Sequence, residues 1–291
     1  MQPEDRQAAE GKSRREFLVK LMASGFALAV QPVMASVIHT SDDGLDSGPI
    51  SIGLPHDQLE ALPAYFARPA RAAGPLPVVL VVQEIFGVHE HIQDVCRRLA
   101  HLGYFAVAPE LYFRQGNPRA YESGAELMEK IVSKVPDQQV LADLDTTAQW
   151  AALNGGDPHR LAITGFCWGG RITWLYAAHN PALKAAVVWY GPLAGKRTPN
   201  TPVFPSEVAS QLQVPVLGLY GGKDPSITQA NIATMREALT ADHAASQIIV
   251  YPDAGHGFNA DYRPSYNEAA AKDGWQRMLG WFAQNGLGIS K

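Results

Sequence analysis

Short apolar runs alternate along the chain with segments whose apolar residues recur at helical spacing. The run LPVVLVV at 76–82 is apolar at nearly every position, which is typical of a strand buried on both faces of a parallel sheet. The segment HIQDVCRRLAHLG that follows predicts a helix over 92–102. The other predicted strands are 59–68, 104–108, 161–164, 184–190, 214–220 and 247–251, and the other predicted helices are 121–153 with a break at Pro136, 229–239, 266–284 and one from Arg171 onward.

The regular alternation of strands and helices predicts the fold class. It indicates an α/β protein with a mostly parallel sheet covered by helices on both faces. A chain of 291 residues with 46% hydrophobic and 18% charged residues suits one large domain, which we place at 59–291. Residues 36–58 are polar and include SDDGLDSG, so we expect a flexible linker there.

The N-terminus has the pattern of an export signal. Residues 13–20 read SRREFLVK, with two paired arginines, and a mildly apolar segment follows at 21–33. The pattern is typical of a twin-arginine signal peptide, and the segment is shorter than the roughly 20 residues that a spanning helix needs. We expect a signal peptide at 1–35, use of the export machinery, no stable membrane anchor and a periplasmic protein. The alternative is an ordinary amphipathic N-terminal helix.

Net charge and cysteine content limit the kinds of partner and of covalent link that we expect. The formal charge is −4 with no long run of one sign, so we expect a small-molecule partner rather than nucleic acid or an anionic membrane surface. The two cysteines are Cys96, on the apolar stripe of a predicted helix, and Cys167. We expect Cys96 to be buried and no disulfide to form, because a bridge would consume the thiol of the most distinctive motif in the chain.

That motif is GFCWGG at 165–170, between a predicted strand and a predicted helix. A strand-to-helix turn of the form G-x-S-x-G carries the nucleophile of α/β-hydrolases, and here the central residue is Cys167. The glycines leave room for the tight turn, and the N-terminus of the following helix favours the thiolate over the thiol. The other interpretation of Cys167 is a small buried core residue.

Three further strands end in reactive side chains, namely Glu84, Asp224 and His256. In open α/β sheets, functional residues gather beyond the carboxyl ends of the strands. The order nucleophile, acid, histidine along the chain is that of α/β-hydrolases. His256 is the candidate proton carrier and Asp224 the acid that orients it. Asp253 is a rival acid, but it is too near His256 in sequence to reach behind the ring comfortably.

Two backbone N–H groups and one buried acid complete the candidate site. Those of Ile85 and Trp168 are the expected oxyanion donors, because one lies after an earlier strand and the other follows the nucleophile. Glu84 ends a very apolar strand, where an ionised carboxylate is costly unless it is paired. We therefore expect Glu84 to be partnered or partly protonated, and able to take or hold the proton of the Cys167 thiol.

Five segments of the chain form a set. They are QEIFGVHEHI at 83–92, PELYFRQ at 109–115, GFCWGGR at 165–171, YGGKD at 220–224 and AGHGF at 254–258. Together they resemble the dienelactone hydrolase family, also called carboxymethylenebutenolidases, within the α/β-hydrolase superfamily. The resemblance covers nearly all of 59–285. It implies an α/β-hydrolase fold and a triad of Cys167, His256 and Asp224 that opens an enol lactone through an acyl-enzyme.

The resemblance also implies roles for Glu84 and two arginines. In the family, the resting thiol lies close to the glutamate that Glu84 matches, and substrate binding displaces that contact. Arg114 matches a residue that binds the substrate carboxylate. Proteins related to the family archetype have a second such arginine four residues after the histidine, where this chain has Ala260, and Arg263 is the candidate replacement. The change at Ala260 leaves the natural substrate open.

We also predict roles for other residues near these motifs. Phe86 and Tyr112 are expected to line an apolar substrate pocket. His89 and His91 together with Glu84 form a possible metal set, but they lie at a loop-to-helix boundary without a clear further ligand. We therefore expect no metal and no organic cofactor.

The sequence predicts a hydrolase of a small lactone or ester, of the dienelactone (carboxymethylenebutenolide) type, that acts through a cysteine acyl-enzyme. One alternative is a general carboxylesterase or a hydrolase of larger lactones on the same triad. A second alternative is a non-catalytic binding protein or thiol sensor built on the same scaffold.

Overall fold

A computed structural model describes residues 37–55, 57–240 and 245–289, so the predicted signal peptide lies outside it. The described chain builds one eight-stranded sheet in the order β1-β2-β4-β3-β5-β6-β7-β8. β2 pairs antiparallel with β1 and with β4, and the remaining neighbours are parallel. The strands are β1 Leu45–Leu54, β2 Asp57–Pro69, β3 Leu76–Val82, β4 Phe105–Pro109, β5 Gly156–Phe166, β6 Leu183–Trp189, β7 Val216–Gly221 and β8 Gln247–Tyr251.

Seven α-helices connect and cover these strands within the described ranges. They are α1 Glu90–His101, α2 Gly124–Lys130, α3 Asp137–Leu153, α4 Trp168–His179, α5 Pro205–Val208, α6 Gln229–Leu239 and α7 Glu268–Phe282. None of the helices in the part of the chain that the structure describes is long and apolar enough to cross a bilayer.

The apolar strands form the centre of the sheet. Successive residues of a strand point to opposite faces, yet six of the seven residues of β3 and all five of β4 are buried. Both faces of these strands are therefore covered, as the continuous apolar run at 76–82 indicates. The α/β fold with a mostly parallel sheet is confirmed.

The first strand corrects the linker expected at 36–58. Residues 45–54 pair with β2, from Leu45 opposite Pro69 to Ile52 opposite Leu62. Ile52 is the one buried side chain of β1, so most of this strand faces solvent at the edge of the sheet. An exposed antiparallel edge strand needs little apolar sequence, which is why the polar composition resembled a linker. The expectation of irregular chain is wrong for these residues.

Two helix predictions also change in detail. The segment 121–153 divides into α2 and α3, with Pro136 as the N-cap of α3, because proline lacks the N–H that a continuous helix needs at that point. Helix α4 begins at Trp168, directly after Cys167, rather than at Arg171. The turn at Cys167 is therefore tighter than the sequence prediction allowed.

The order of the strands brings the reactive residues to one edge of the sheet. Strands β3, β5, β6, β7 and β8 are consecutive and parallel, so their carboxyl ends lie side by side. The N–H of Cys167 donates to the carbonyl oxygen of Trp189 at 3.0 Å, which fixes the end of β5 against the end of β6. Glu84, Asp224 and His256 follow strands β3, β7 and β8 of the same parallel set.

Two glycines of α7 have opposite expectations on substitution by alanine. A Cβ atom at Gly274 would lie 2.6 Å from the buried ring of Trp189, whereas one at Gly280 would meet nothing within 4 Å. We expect Gly274→Ala to lower the free energy of unfolding by about 1–3 kcal/mol through overpacking. Gly280→Ala should raise it by about 0.5–1 kcal/mol, because alanine favours the helix. Urea unfolding measures both changes, and shifts of the same sign would contradict this packing.

Candidate active site

Cys167 occupies a strained turn between β5 and α4. Its φ of 54° and ψ of −119° lie in a region that residues other than glycine rarely adopt. The neighbouring backbones approach too closely for any side chain. A Cβ atom at Gly165 would lie 2.3 Å from the carbonyl oxygen of Gly169, and one at Gly169 would lie 2.3 Å from that of Gln83. The glycines therefore hold the turn that presents the thiol.

Three side chains meet at this turn in one line of contacts. The Nε2 atom of His256 lies 3.2 Å from the Sγ atom of Cys167, and its Nδ1 atom lies 2.7 Å from Oδ2 of Asp224. All three residues are buried. In this arrangement a proton can move between the sulfur and the imidazole while the carboxylate fixes the orientation of the ring.

Asp224, the acid that contacts His256, lies in the turn after β7. Oδ1 of Asp224 accepts hydrogen bonds from the N–H (2.8 Å) and the hydroxyl (2.7 Å) of Ser226. Burial opposes the ionisation of Asp224, but the bonds with His256 and Ser226 prevail and lower its pKa. Asp253, the rival acid, is 83% exposed and pairs with Lys223 at 2.8 Å. The geometry therefore favours Asp224 as the residue that orients the histidine.

The surroundings of His256 raise its pKa. Burial lowers the pKa of His256, but the sulfur of Cys167 and the carboxylate of Asp224 outweigh that effect and raise it to about 10. The surroundings of His256 therefore favour its imidazolium form.

The expected oxyanion donors lie on the two elements that pack around the thiol. Trp168 is the first residue of α4, so its N–H has no acceptor within the helix. Ile85 is buried and lies two residues beyond Gln83, whose carbonyl oxygen faces the start of α4 at Gly169. Both N–H groups therefore come from segments that meet beside Cys167, as an oxyanion site requires.

Glu84 has partners that the sequence did not predict. It is fully buried, and its Oε2 atom accepts a hydrogen bond from the hydroxyl of Tyr262 and one from Nη2 of Arg263 at 3.2 Å, with Nε2 of His89 at 3.8 Å. Burial alone would raise the pKa of Glu84, but the Arg263 guanidinium and then His89 hold it well below its usual range. Glu84 is therefore an ionised carboxylate.

The expected contact between Glu84 and the thiol is not formed. Among the described residues, the sulfur of Cys167 makes its hydrogen bond with His256 and none with Glu84, whose Oε1 atom has no hydrogen-bond partner. The aromatic and cationic partners of Glu84 come from the loop after β8, 178 and 179 residues away along the chain. No local sequence signal connects residues so distant.

Comparison with known proteins identifies the family. The model of the dienelactone hydrolase family matches residues 62–286, which extend from β2 past α7. The chain belongs to the dienelactone hydrolase family.

Relatives of this dienelactone hydrolase family member include both sequences and a solved structure. A Salmonella typhimurium protein named "Putative carboxymethylenebutenolidase" is 62% identical over 90% of this chain and 96% of its own length. A Bradyrhizobium protein named "Probable 2-oxo-3-(5-oxofuran-2-ylidene)propanoate lactonase" is 33% identical over 74% of this chain and 86% of its own. The crystal structure titled "Putative Dienelactone Hydrolase" from Klebsiella pneumoniae shares 63% identity, with a TM-score of 0.80, and covers 82% of this chain and 99% of that one. The protein is a hydrolase of the dienelactone hydrolase, or carboxymethylenebutenolidase, type.

The two candidate arginines of this family member occupy different environments. Arg114 donates to both carboxylate oxygens of Asp143, at 2.8 and 3.0 Å, and to Glu60 at 3.2 Å. Within the described residues its ion pairs are with these two acids, so its guanidinium is not presented to the triad as a free cation. Arg263 is 2% exposed and pairs with Glu84, while its Nη1 atom has no hydrogen-bond partner. Of the two, Arg263 lies with the residues of the site.

Phe86 and Tyr112 also lie with residues of the site. The guanidinium of Arg263 lies 5.0 Å from the ring centre of Phe86, which is partly buried. The ring of Tyr112 is buried against that of Trp168, with centres 4.8 Å apart. The hydroxyl of Tyr112 has no hydrogen-bond partner, so this wall is not purely apolar as the sequence suggested.

The possible metal set at Glu84, His89 and His91 is not assembled. Nδ1 of His91 bonds to Asp261 at 2.9 Å instead. In the described ranges, the group of possible metal ligands close enough to share an ion is His39, Glu90 and Asp94, and the guanidinium of Arg97 already contacts the last two. We assign no metal to either set.

Removal of one partner of the buried Glu84 and Arg263 pair should be strongly destabilising. Arg263→Met leaves the Glu84 carboxylate without its cation, so we expect a loss of about 3–5 kcal/mol in the free energy of unfolding. The double variant Arg263→Met/Glu84→Gln should recover part of it, because no unpaired charge remains buried. Urea unfolding of the three proteins measures these differences.

The loss of stability in Arg263→Met should also depend on pH, and the direction of that dependence follows from the pKa of Glu84. Arg263 keeps the pKa of Glu84 low in the parent protein, so that stabilisation is present above the ordinary pKa of a glutamate, about 4.3. In Arg263→Met the pKa of Glu84 rises, and protonation then relieves the unpaired charge. The penalty should be largest near neutral pH and shrink toward about pH 5. A penalty independent of pH, and equal in the single and double variants, would contradict the pairing.

Proposed function

We propose that this hydrolase cleaves a small lactone or ester of the dienelactone type through an acyl-enzyme on Cys167. The observation that carries the proposal is the contact line from Cys167 through His256 to Asp224, with 3.2 Å and 2.7 Å between the bonded atoms. The thiol sensor and binding-protein alternatives require none of these contacts.

The proposed reaction has two steps. The Cys167 thiolate attacks the acyl carbon, and the carbonyl electron pair moves onto the oxygen, which the N–H groups of Ile85 and Trp168 stabilise. The C–O bond then breaks, the departing alcohol or enol oxygen takes the proton of His256, and a thioester remains. Water attacks the thioester with His256 as the base, which releases the carboxylate and restores the thiolate.

The substrate class rests on the charge of the site. The Nη1 atom of Arg263 is a buried cationic donor without a partner, and a substrate carboxylate is the group that such a donor favours. The Bradyrhizobium relative is named as a lactonase, and the lactone in its name bears a carboxylate. We therefore propose an anionic lactone bound through Arg263 rather than Arg114.

A second candidate substrate class is a neutral ester or lactone. It is favoured because both arginines already pair with carboxylates, Arg114 with Asp143 and Arg263 with Glu84. On this alternative the site has no uncompensated cation for a substrate anion, and the same triad serves as a general carboxylesterase.

The triad is tested by paired substitutions. Cys167→Ala should reduce kcat/KM for an aryl ester at least a thousandfold, because it removes the nucleophile. Asp224→Asn should reduce it roughly a hundredfold to ten-thousandfold, because the imidazole loses its orienting anion. Asp253→Asn is the matched control and should leave it unchanged, since Asp253 is exposed and pairs with Lys223. Spectrophotometric turnover measures all three, and undiminished activity of Cys167→Ala would exclude the mechanism.

The charge of the substrate is tested with carboxymethylenebutenolide and its methyl ester, which differ in one negative charge. We expect kcat/KM for the free acid to exceed that for the ester by about tenfold or more, since a hydrogen bond to a charged group is worth about 1.5–3 kcal/mol. Arg263→Met should abolish the preference, whereas Arg114→Met should retain it. Equal turnover of acid and ester favours the neutral class, and a loss confined to Arg114→Met returns the role to Arg114.

We also propose that the protein is exported to the periplasm by the twin-arginine route. The support is the SRREFLVK motif and the apolar segment after it, both within 1–35 and outside the described residues. Fractionation of cells that express the full chain should place the activity in the periplasm, and Arg14→Lys/Arg15→Lys should retain it in the cytoplasm. An unchanged distribution would contradict the route.

A further inference from the structure

The chain before β1 contacts both helix α1 and the loop that carries Arg263. We call its residues 38–41 the strap. The strap lies before residues 62–286, which the family model matches, so that match assigns it no role. We propose that the main chain of the strap is a positioning element, which holds the loop at 257–263 through Asp261 and so places Arg263 to bind the substrate anion. The inference rests on the proposed function, in which Arg263 binds that anion.

The strap is attached through its backbone rather than through apolar side chains. The N–H of Ile38 donates to Oδ2 of Asp261 at 2.6 Å, and the N–H of Thr40 donates to Oδ1 of Asp94 at 2.5 Å. Ile38 itself is 42% exposed, whereas both acceptors are buried carboxylates. A hydrogen bond to an ionised acceptor is stronger than one between neutral groups. The two N–H groups are therefore strong points of attachment.

Helix α1 also donates to the carbonyl oxygens of the strap. Nε of Arg97 donates to the carbonyl oxygen of Thr40 at 2.8 Å, and Nε2 of His101 lies 2.7 Å from that of Ser41. Arg97 also pairs with Asp94 at 3.4 Å, so the carboxylate that receives the Thr40 N–H is fixed in turn. The strap thus bonds to α1 through N–H and C=O groups alike, which defines its position along the helix.

Asp261 connects the strap to the active site. Its Oδ1 atom lies 2.9 Å from Nδ1 of His91, while its Oδ2 atom receives the N–H of Ile38. Burial opposes the ionisation of Asp261, but His91 and the Ile38 N–H lower its pKa. Two residues further along, Arg263 donates to Glu84 at 3.2 Å, and its Nη1 atom has no hydrogen-bond partner among the described residues. A shift of Asp261 would therefore move the guanidinium that we propose for the substrate anion.

The other partner of Asp261 packs against the site as well. The ring centre of His91 lies 5.4 Å from that of Tyr262 and 6.1 Å from that of Phe166, the residue before Cys167. His91 belongs to α1, the helix on which the strap lies. The helix, the strap and the loop thus meet at one buried carboxylate.

The loop needs this external attachment because its own hydrogen bonds close only single turns. The N–H of Ala260 donates to the carbonyl oxygen of Gly257 at 2.9 Å, and that of Arg263 donates to Ala260 at 3.0 Å. In the described ranges no helix or strand lies between β8 and α7. Isolated turns open more readily than helices or sheets, so the bonds to Asp261 supply the restraint that the loop lacks.

Amide hydrogen exchange of the full chain, read by mass spectrometry, tests whether the strap holds the loop. Ile38→Pro removes the N–H that Asp261 accepts, and Ile38→Ala is the matched control that keeps it. We expect the peptide that covers 254–267 to exchange at least about fivefold faster in Ile38→Pro than in Ile38→Ala, because its loop opens more often. Equal exchange in the two variants would overturn the proposal.

The parent chain provides a second measurement, which decides the proposal if Ile38→Pro does not fold. The amides of Ile38 and Thr40 should exchange at least about a hundredfold more slowly than in a free peptide of the same sequence, although the strap lies at the surface. Exchange at the rate of the free peptide would show that the strap is not attached, and would overturn the proposal.

Kinetics of the same variants test the link to substrate binding. With carboxymethylenebutenolide, we expect the KM of Ile38→Pro to exceed that of Ile38→Ala by about fivefold or more at unchanged kcat, because a displaced guanidinium bonds the anion more weakly. The KM for the methyl ester should be the same in both variants. A strap that only stabilised the fold would affect acid and ester alike, and that result would overturn the positioning role.

The two readouts keep this inference apart from the proposed function. If the parent hydrolyses neither substrate, the proposed function fails, and the exchange of 254–267 still decides whether the strap holds the loop. If the parent prefers the acid and Ile38→Pro retains that preference in full, the proposed function stands and the positioning role of the strap is overturned.

Discussion

The site depends on how closely the backbone of α4 approaches the ends of β3, β5 and β6. A Cβ atom at Gly169 would meet the carbonyl oxygen of Gln83 at 2.3 Å, and one at Gly170 would meet the Cα atom of Gly191 at 2.8 Å. Only glycine allows these approaches, and they hold Cys167 in a conformation that would otherwise be unfavourable. The helix N-terminus, the N–H groups of Ile85 and Trp168, and the ring of His256 all lie around that one turn. The strain is thus maintained by the packing of the whole sheet.

Charge compensation is the second constraint on the site. Burial penalises each ionised group near Cys167, and each is offset by a partner of opposite sign: Asp224 with His256, and Glu84 with Arg263. Because these pairs come from the loops after three strands, β3, β7 and β8, the charges are balanced only when those strands are assembled in the sheet. The chemistry of the thiol is therefore a property of the folded domain rather than of the glycine motif alone.

The sequence predicted the site best where a reactive side chain directly follows a strand. The strands before Glu84, Cys167, Asp224 and His256 have clear apolar patterns, so their parallel arrangement predicted that these residues meet. The contacts that were missed join distant loops through side chains. Tyr262 donates to Glu84, which lies 178 residues away along the chain. Arg114 pairs with Asp143 on a helix, where an aspartate in the sequence gives no sign of an ion pair. The polar composition of β1 also led to its prediction as a linker, because an edge strand keeps most of its side chains in solvent.

The proposed mechanism requires a covalent acyl group on Cys167. Rapid acid quench during turnover of an aryl ester, followed by mass spectrometry of the intact protein and of its peptides, observes that group directly. We expect one acyl adduct per chain, on the peptide that contains Cys167, and none in Cys167→Ala. Sustained turnover without an adduct, or an adduct on another residue, would contradict it.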